Sequence, residues 1–157
     1  MAKKTVYIET SIPSAYVDER DHTVSRYQRD KTRSWWMTQR RNYDLLCSDA
    51  VLDELLRESF PGQAQAVELV GGLDRLMITD EVVGLAEIYK GRFLMPRERS
   101  GDAIHMALAS AHNMDYLLTW NCRHLANPNK HDHLVAINLR FGLMTPISLT
   151  PEMLLQE

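Results

Sequence analysis

The sequence predicts an α/β fold built on a parallel sheet. Short β-rich runs alternate with helix-length segments along the whole chain, and the runs are apolar without the two-residue alternation of a half-solvated sheet. Strands that read as continuous apolar runs are those covered by helices on both faces. With 157 residues, 45% of them hydrophobic and 25% charged, the chain has the mix of one globular domain spanning residues 1–157.

Each element follows from local chemistry. Thr5 to Ile8 is the first strand, and Glu9 ends it. From Arg20 to Arg41, seven cations (Arg20, Arg26, Arg29, Lys31, Arg33, Arg40, Arg41) face only Asp21 and Asp30, a local charge of +5, with Tyr27, Trp35 and Trp36 interleaved. Two readings of this stretch stand: it grips a phosphate backbone and stacks bases, or it is an amphipathic helix whose tryptophans pack in the core or at a dimer contact. Leu45 to Cys47 is the second strand. The helix Val51 to Glu58 follows, capped by Ser48 or Asp49 and stopped by Phe60-Pro61-Gly62. Its apolar face is Val51, Leu52, Leu55 and Leu56, which leaves Glu54 off that face with Glu58.

Gly71-Gly72 ends the next helix, and Leu76 to Thr79 is the third strand. Gly91 to Gly101 reads as a loop, after which Ser100 or Gly101 caps the helix that Asp102 opens. Tyr116 to Thr119 is the fourth strand, Gly142 closes the helix after it, and a last short strand lies around Pro146 to Leu149. Thr150-Pro151-Glu152 starts a final helix with Pro at its first position.

Composition removes several classes of function. No apolar stretch approaches the roughly 20 residues that cross a bilayer. Met1-Ala2-Lys3-Lys4 leads into a strand rather than a signal-peptide core, so the expected location is cytoplasmic, with no membrane partner. Cys47 and Cys122 are too few for a disulfide framework or a zinc site of paired cysteines and read as reduced thiols. A net charge of −3 argues against indiscriminate nucleic-acid binding. Neither G-x-S-x-G nor G-x-x-x-x-G-K-[ST] occurs, which disfavours a serine nucleophile and a phosphate-cradling loop.

The chemistry collects at four separated positions, Glu9, Glu54, Asp102 and Asn121, each beside an apolar segment. In an open parallel sheet ligands gather at the carboxyl ends of the strands, where the strand order reverses. Glu9 and Asn121 sit at such ends, Asp102 lies in a first helical turn that favours a carboxylate, and Glu54 is one turn into a helix that begins beyond the second strand. Three carboxylates brought together repel one another, by on the order of 4 kcal/mol per pair at about 4 Å and an effective dielectric of about 20. A proton, a lysine or a metal ion can offset this. With no lysine near these positions in the sequence, an all-oxygen set of three acids and an amide points to Mg²⁺ or Mn²⁺. Such an ion activates water against a phosphodiester.

Neighbouring groups carry weaker signals. Thr10, Ser11 and Thr119 can orient a carboxylate or serve as local caps, and Arg123 reads as a surface arginine or a phosphate contact. His131-Asp132-His133 reads as a polar loop or helix start, and His105 as a structural neighbour of Asp102.

Val6-Tyr7-Ile8-Glu9-Thr10-Ser11-Ile12-Pro13, Ser48-Asp49-Ala50-Val51-Leu52-Asp53-Glu54, Asp102-Ala103-Ile104-His105 and Leu117-Leu118-Thr119-Trp120-Asn121 resemble the motifs of PIN-domain ribonucleases, especially the VapC-like toxins of toxin–antitoxin pairs. The resemblance spans nearly the whole chain. It implies a PIN-like three-layer α/β/α fold with a five-stranded parallel sheet in the order 3-2-1-4-5, Mg²⁺ or Mn²⁺ dependence, RNA cleavage, a homodimer and an antitoxin partner. Carried onto this sequence, it makes Glu9, Asp102 and Asn121 the metal ligands and Glu54 the residue that orients water or completes the site. Two positions depart from the family pattern: Glu9 is one methylene longer than the usual Asp, and Asn121 gives up a charge.

Two competitors share these features. One is a PIN-like module that binds RNA or protein without metal-dependent activity. The other is a metal-dependent phosphatase, whose usual Asp-x-Asp after the first strand is replaced here by Glu9-Thr10-Ser11.

Overall fold

The computed structural model describes residues 2–92 and 100–155. Five parallel strands, β1 (Lys4–Ile8), β2 (Tyr43–Ser48), β3 (Asp74–Leu76), β4 (Tyr116–Leu118) and β5 (Ile147–Leu149), form one sheet in the order β3-β2-β1-β4-β5. Helices α1 (Ser11–Val17), α2 (Thr23–Gln39), α3 (Asp49–Arg57), α4 (Gln63–Gly71), α5 (Asp80–Gly91), α6 (Ser100–Ala111), α7 (Pro128–Arg140) and α8 (Pro151–Leu154) cover both faces. The expected parallel sheet and its 3-2-1-4-5 order are therefore present.

β1 is the middle strand, and Val6, Tyr7 and Ile8 are wholly buried with Leu117 and Leu118 of β4 beside them. This is why the runs lack alternation: both faces of these strands are interior. The chain progresses outward from β1 in one direction through β2 and β3, then crosses back to β4 and β5. The reversal falls between β1 and β4, and the carboxyl ends of these two strands open the crevice of a doubly wound sheet.

The helix ends follow the sequence signals, with shifts that have local causes. Ser48 precedes α3 and Thr150 precedes α8, whose Pro151 occupies the first turn. Gly142, at φ +70°, takes the left-handed turn after α7. The third strand is displaced from the expected Leu76 to Thr79 to Asp74–Leu76. Thr79 instead caps α5, its hydroxyl accepting from the Val82 N–H at 3.2 Å, and Met77 and Ile78 lie exposed between strand and cap. Helix α3 stops at Arg57, and Leu56, expected on its apolar face, is solvent-exposed while Val51 and Leu55 are buried. Gly62 serves the following helix: at φ +86° it precedes α4, and a Cβ there would lie 2.8 Å from Val17 Cβ. Of the stretch read as a loop, Gly91 closes α5 and Ser100 already begins α6, while residues 93–99 lie outside the described residues.

The basic aromatic stretch is α2 and the turn after it, and the packing reading holds for its tryptophans. Trp35 is wholly buried and Trp36 nearly so, with Trp35 stacked on Tyr43 at 5.9 Å and edge-on to Trp36 at 6.2 Å. The arginines fold back on the chain. Arg33 donates to the Tyr16 carbonyl at 2.8 Å and pairs with Glu19 at 3.0 Å, Arg29 donates to the Asp18 carbonyl at 3.1 Å, and Arg40 lies over the Trp36 ring at 4.9 Å. Tyr89 of α5 donates to Asn138 Oδ1 of α7 at 2.6 Å and its hydroxyl oxygen is 3.2 Å from Ser110 Oγ of α6, tying three helices through one buried polar cluster. No helix among the described residues is long and apolar enough to cross a membrane.

Candidate active site at the crevice between β1 and β4

Glu9 follows β1 directly and is nearly buried, yet its carboxylate is well satisfied. Its Oε1 accepts from the Thr119 hydroxyl at 2.6 Å, from the Ser11 N–H at 3.2 Å and from the Ser11 hydroxyl. Ser11 Oγ in turn accepts from the Trp120 N–H at 2.8 Å, and Thr119 Oγ1 from the Asn121 N–H at 2.9 Å. The two hydroxyls flagged by the sequence thus bracket Glu9 across the crevice, joining the end of β1 to the end of β4. Thr10 does the same for another acid, donating to Glu54 Oε1 at 3.0 Å.

Glu54 reaches the crevice from α3, in the turn that also buries Val51 and Leu55. Its carboxylate lies against the first turn of α6, where a Cβ on Gly101 would stand 3.0 Å from Glu54 Oε2. A bare backbone at that position lets the carboxylate approach the helix N-terminus, where the dipole favours negative charge. Asp102, also in that first turn and nearly buried, accepts from Asn121 Nδ2 at 3.1 Å.

Asn121 has a more specific posture than the sequence could convey. Its Oδ1 accepts from the His124 N–H at 3.0 Å and its Nδ2 donates to Asp102. The amide oxygen is committed to the turn after β4, and the amide nitrogen braces a carboxylate.

His105, read from the sequence as a neighbour, is inside the site. It is wholly buried, its Nε2 is paired with Glu54 Oε1, and its Nδ1 is 2.6 Å from the Tyr7 hydroxyl, which is 2.8 Å from Ser48 Oγ. Burial pushes the imidazole toward the neutral form, but the bond to Glu54 and the charges of Glu9, Glu54 and Asp102 outweigh it and raise its pKa. Burial likewise opposes ionisation of Glu54, and the His105 and Thr10 hydrogen bonds with the nearby Arg57 charge reverse that and lower its pKa. All three acids therefore act on one imidazole. A histidine in an otherwise apolar helical run and a tyrosine in an otherwise apolar strand were the signals that could have marked this cluster, because buried polar groups need partners.

Lys130, distant from these acids in sequence, comes from α7: burial lowers its pKa, with the charge of Asp102 opposing that and the charge of Arg123 adding to it. His105 and Lys130 together offset part of the carboxylate repulsion. Among the described residues, no three His, Cys, Asp or Glu side chains come together as a metal-binding group, and His131-Asp132-His133 lies within α7. An ion that keeps most of its water requires less: Mg²⁺ is commonly held by one or two carboxylates plus substrate phosphate. Glu9 and Asp102, hard oxygen donors linked through Thr119 and Asn121, fit that demand.

An open cavity of about 890 Å³ adjoins Glu54 and is lined by Thr10, Ser11, Glu54, Arg57, Arg20 and Gln28, among others, while Glu9, Asp102 and Asn121 lie outside its lining. Its floor carries the hydroxyls that orient Glu9 and Glu54. Arginines lie along its length.

Sheet order and helices on both faces define a PIN-like α/β/α fold. A solved structure similar to this chain is the crystal structure of VapBC2 from Rickettsia felis bound to a DNA fragment from their promoter. The match has a TM-score of 0.57 and 13% identity, over 93% of this chain and 98% of that one. No family model matches the chain, and no curated protein matches it in sequence.

Proposed function

We propose that this chain is a divalent-metal-dependent endoribonuclease and the toxin of a toxin–antitoxin pair. The observation that carries the reading is the hydrogen-bonded link from Glu9 through Thr119 and Asn121 to Asp102, with Glu54 held by Thr10 and His105 beside it, at the crevice where the sheet order reverses. Glu9 and Asp102 hold the ion. Asn121 keeps Asp102 in place through its Nδ2, and its Oδ1, which accepts one hydrogen bond from the His124 N–H, keeps a second lone pair with which to serve as the third ligand. Bound Mg²⁺ or Mn²⁺ would supply an activated water and neutralise charge developing on the scissile phosphate.

The chain's own groups do the positioning. Thr119 and Ser11 fix Glu9, so the carboxylate is presented without a search over rotamers. Glu54, ionised and held by Thr10 and His105, sits beside the cavity as an acceptor for a water proton. The all-oxygen donor set, the hydroxyl brackets and the adjoining open groove suit a phosphodiester of an extended polymer. The fold's likeness to a chain of VapBC2, a complex described with its own promoter DNA, supports a cognate antitoxin that docks on this chain, and a homodimer is part of the same reading.

A second reading is favoured by one observation: the Glu54 carboxylate is already paired with His105 of the chain itself, and Asn121 Oδ1 already accepts from the His124 N–H. A PIN-like module that binds RNA or protein without metal would look like this. The two readings separate in one assay. Purified protein with an RNA oligonucleotide is expected to cleave in Mn²⁺ or Mg²⁺, to stop in excess EDTA and to resume when the metal is restored. RNA binding that ignores EDTA, with no cleavage in either metal, would contradict the nuclease and sustain the binding module.

A further inference from the structure

We propose that His105 is a positioning residue, and that the buried chain Ser48–Tyr7–His105 locks the Glu54 carboxylate in its working orientation. The catalytic consequence rests on the nuclease reading above, whereas the positioning stands on the geometry alone. Ser48, Tyr7 and His105 are all wholly buried, and they come from three different elements, the end of β2, the next-to-last position of β1 and the first half of α6. Burying three polar side chains side by side is costly unless each is paired, and here each is, at 2.8 Å from Ser48 to Tyr7 and 2.6 Å from Tyr7 to His105, with His105 paired to Glu54.

The N–H presented to Glu54 does not depend on the charge of the ring, although the bonds behind it reverse with that charge. In a neutral imidazole, Tyr7 donates to Nδ1 and the proton sits on Nε2, facing Glu54. In an imidazolium, Nδ1 donates to the Tyr7 oxygen, the Tyr7 hydroxyl donates to Ser48, and Nε2–H again faces Glu54. Either way the carboxylate receives an N–H anchored in the dry interior, and a second bond from Thr10 at 3.0 Å fixes the same oxygen. Of this relay only the Glu54 end lines the cavity. A histidine whose other ring nitrogen is held by a buried partner is the arrangement that orients ligands in metal sites, where losing the supporting group costs about 10- to 100-fold in activity.

Nitrogen-15 NMR of the metal-free protein and steady-state cleavage of an RNA oligonucleotide in Mn²⁺ test this together. The ring of His105 is expected to show an Nε2–H that exchanges slowly with water and shifts in Glu54→Gln. No such proton overturns the inference, whatever the activity. His105→Leu is expected to lower kcat by about 10- to 100-fold with KM for RNA little changed, and His105→Gln, whose amide N–H can replace Nε2–H, to recover much of it. Tyr7→Phe, which touches neither cavity nor acids, should lower kcat in the wild-type background and have no further effect in His105→Leu. Losses that multiply, or a His105→Leu enzyme within about twofold of wild type, overturn the inference. Should His105→Leu fail to fold, Tyr7→Phe and His105→Gln carry the kinetic comparison. If wild-type protein cleaves no RNA, the nuclease reading falls and the protected Nε2–H alone decides for or against the positioning.

Discussion

Replacing Asp102 by asparagine is expected to lower RNA cleavage by at least about 100-fold, the upper end of what loss of a merely supporting group costs at a metal site. The change removes one full negative charge and one hard oxygen donor from the crevice, leaving Glu9 as the remaining carboxylate proposed to hold the ion. It does little to the fold. Asparagine at this position keeps an oxygen that can accept from Asn121 Nδ2, now at 3.1 Å, and it remains in the first turn of α6, where asparagine is tolerated. Melting temperature should therefore move by no more than about 2–4 °C, the shift that ~1 kcal/mol produces in a domain of this size. Cleavage assays at saturating Mn²⁺ and a thermal melt of the same preparation check the two halves. An asparagine variant with wild-type cleavage would remove Asp102 from the chemistry.

Trp35→Ala has the largest expected effect on stability, a loss of about 3–5 kcal/mol. Against the roughly 5–15 kcal/mol that holds a domain together, this is a large fraction. The side chain is wholly buried between the sheet and α2, in contact with Trp36 and stacked on Tyr43, so truncation leaves a void that a rigid strand cannot close. The indole Nε1 has no hydrogen-bond partner among the described residues. Trp35→Phe therefore forfeits ring area but no hydrogen bond, and should cost well under half as much. Urea denaturation of the two variants reads the difference, and equal losses would mean that the indole nitrogen matters as much as the ring.

The central strands were legible in the sequence because their burial on both sides leaves no room for polar residues. Val6 to Ile8 and Leu117-Leu118 could be nothing else. The outer elements were less so. In β3, an edge strand of three residues, Leu76 is the buried side chain, and the apolar Met77 and Ile78 that extended the expected run are exposed because Thr79 had to be free to cap α5. Leu56 misled for a related reason: a helical wheel ranks residues by type, and which apolar side chain ends in solvent is fixed by what packs against the helix.

For the site, sequence position put Glu9 and Asn121 at strand ends and Glu54 and Asp102 early in helices, and the fold joins Asp102 to Asn121 and links Glu9 to the Asn121 N–H through Thr119. Their roles depend on contacts across the sheet that no local pattern encodes. The Asn121 amide is oriented by the His124 N–H three residues on, His105 acquires its importance from Tyr7 on another strand, and Lys130 arrives from a helix 28 residues beyond Asp102. The basic stretch shows the converse. Its charge of +5 suited either a nucleic-acid contact or a packed amphipathic helix, and Asp18 and Glu19, which lie just before Arg20, engage Arg29 and Arg33 and turn them back on the chain.

One measurement bears most directly on the claim that these acids serve an ion. Crystals equilibrated with Mn²⁺ and measured at the manganese absorption edge are expected to show an anomalous peak within coordination distance of Glu9 and Asp102 carboxylate oxygens, at about 2.0–2.3 Å by the usual range for hard oxygen ligands. No peak at that crevice under saturating Mn²⁺, with His105 still paired to Glu54, would contradict it.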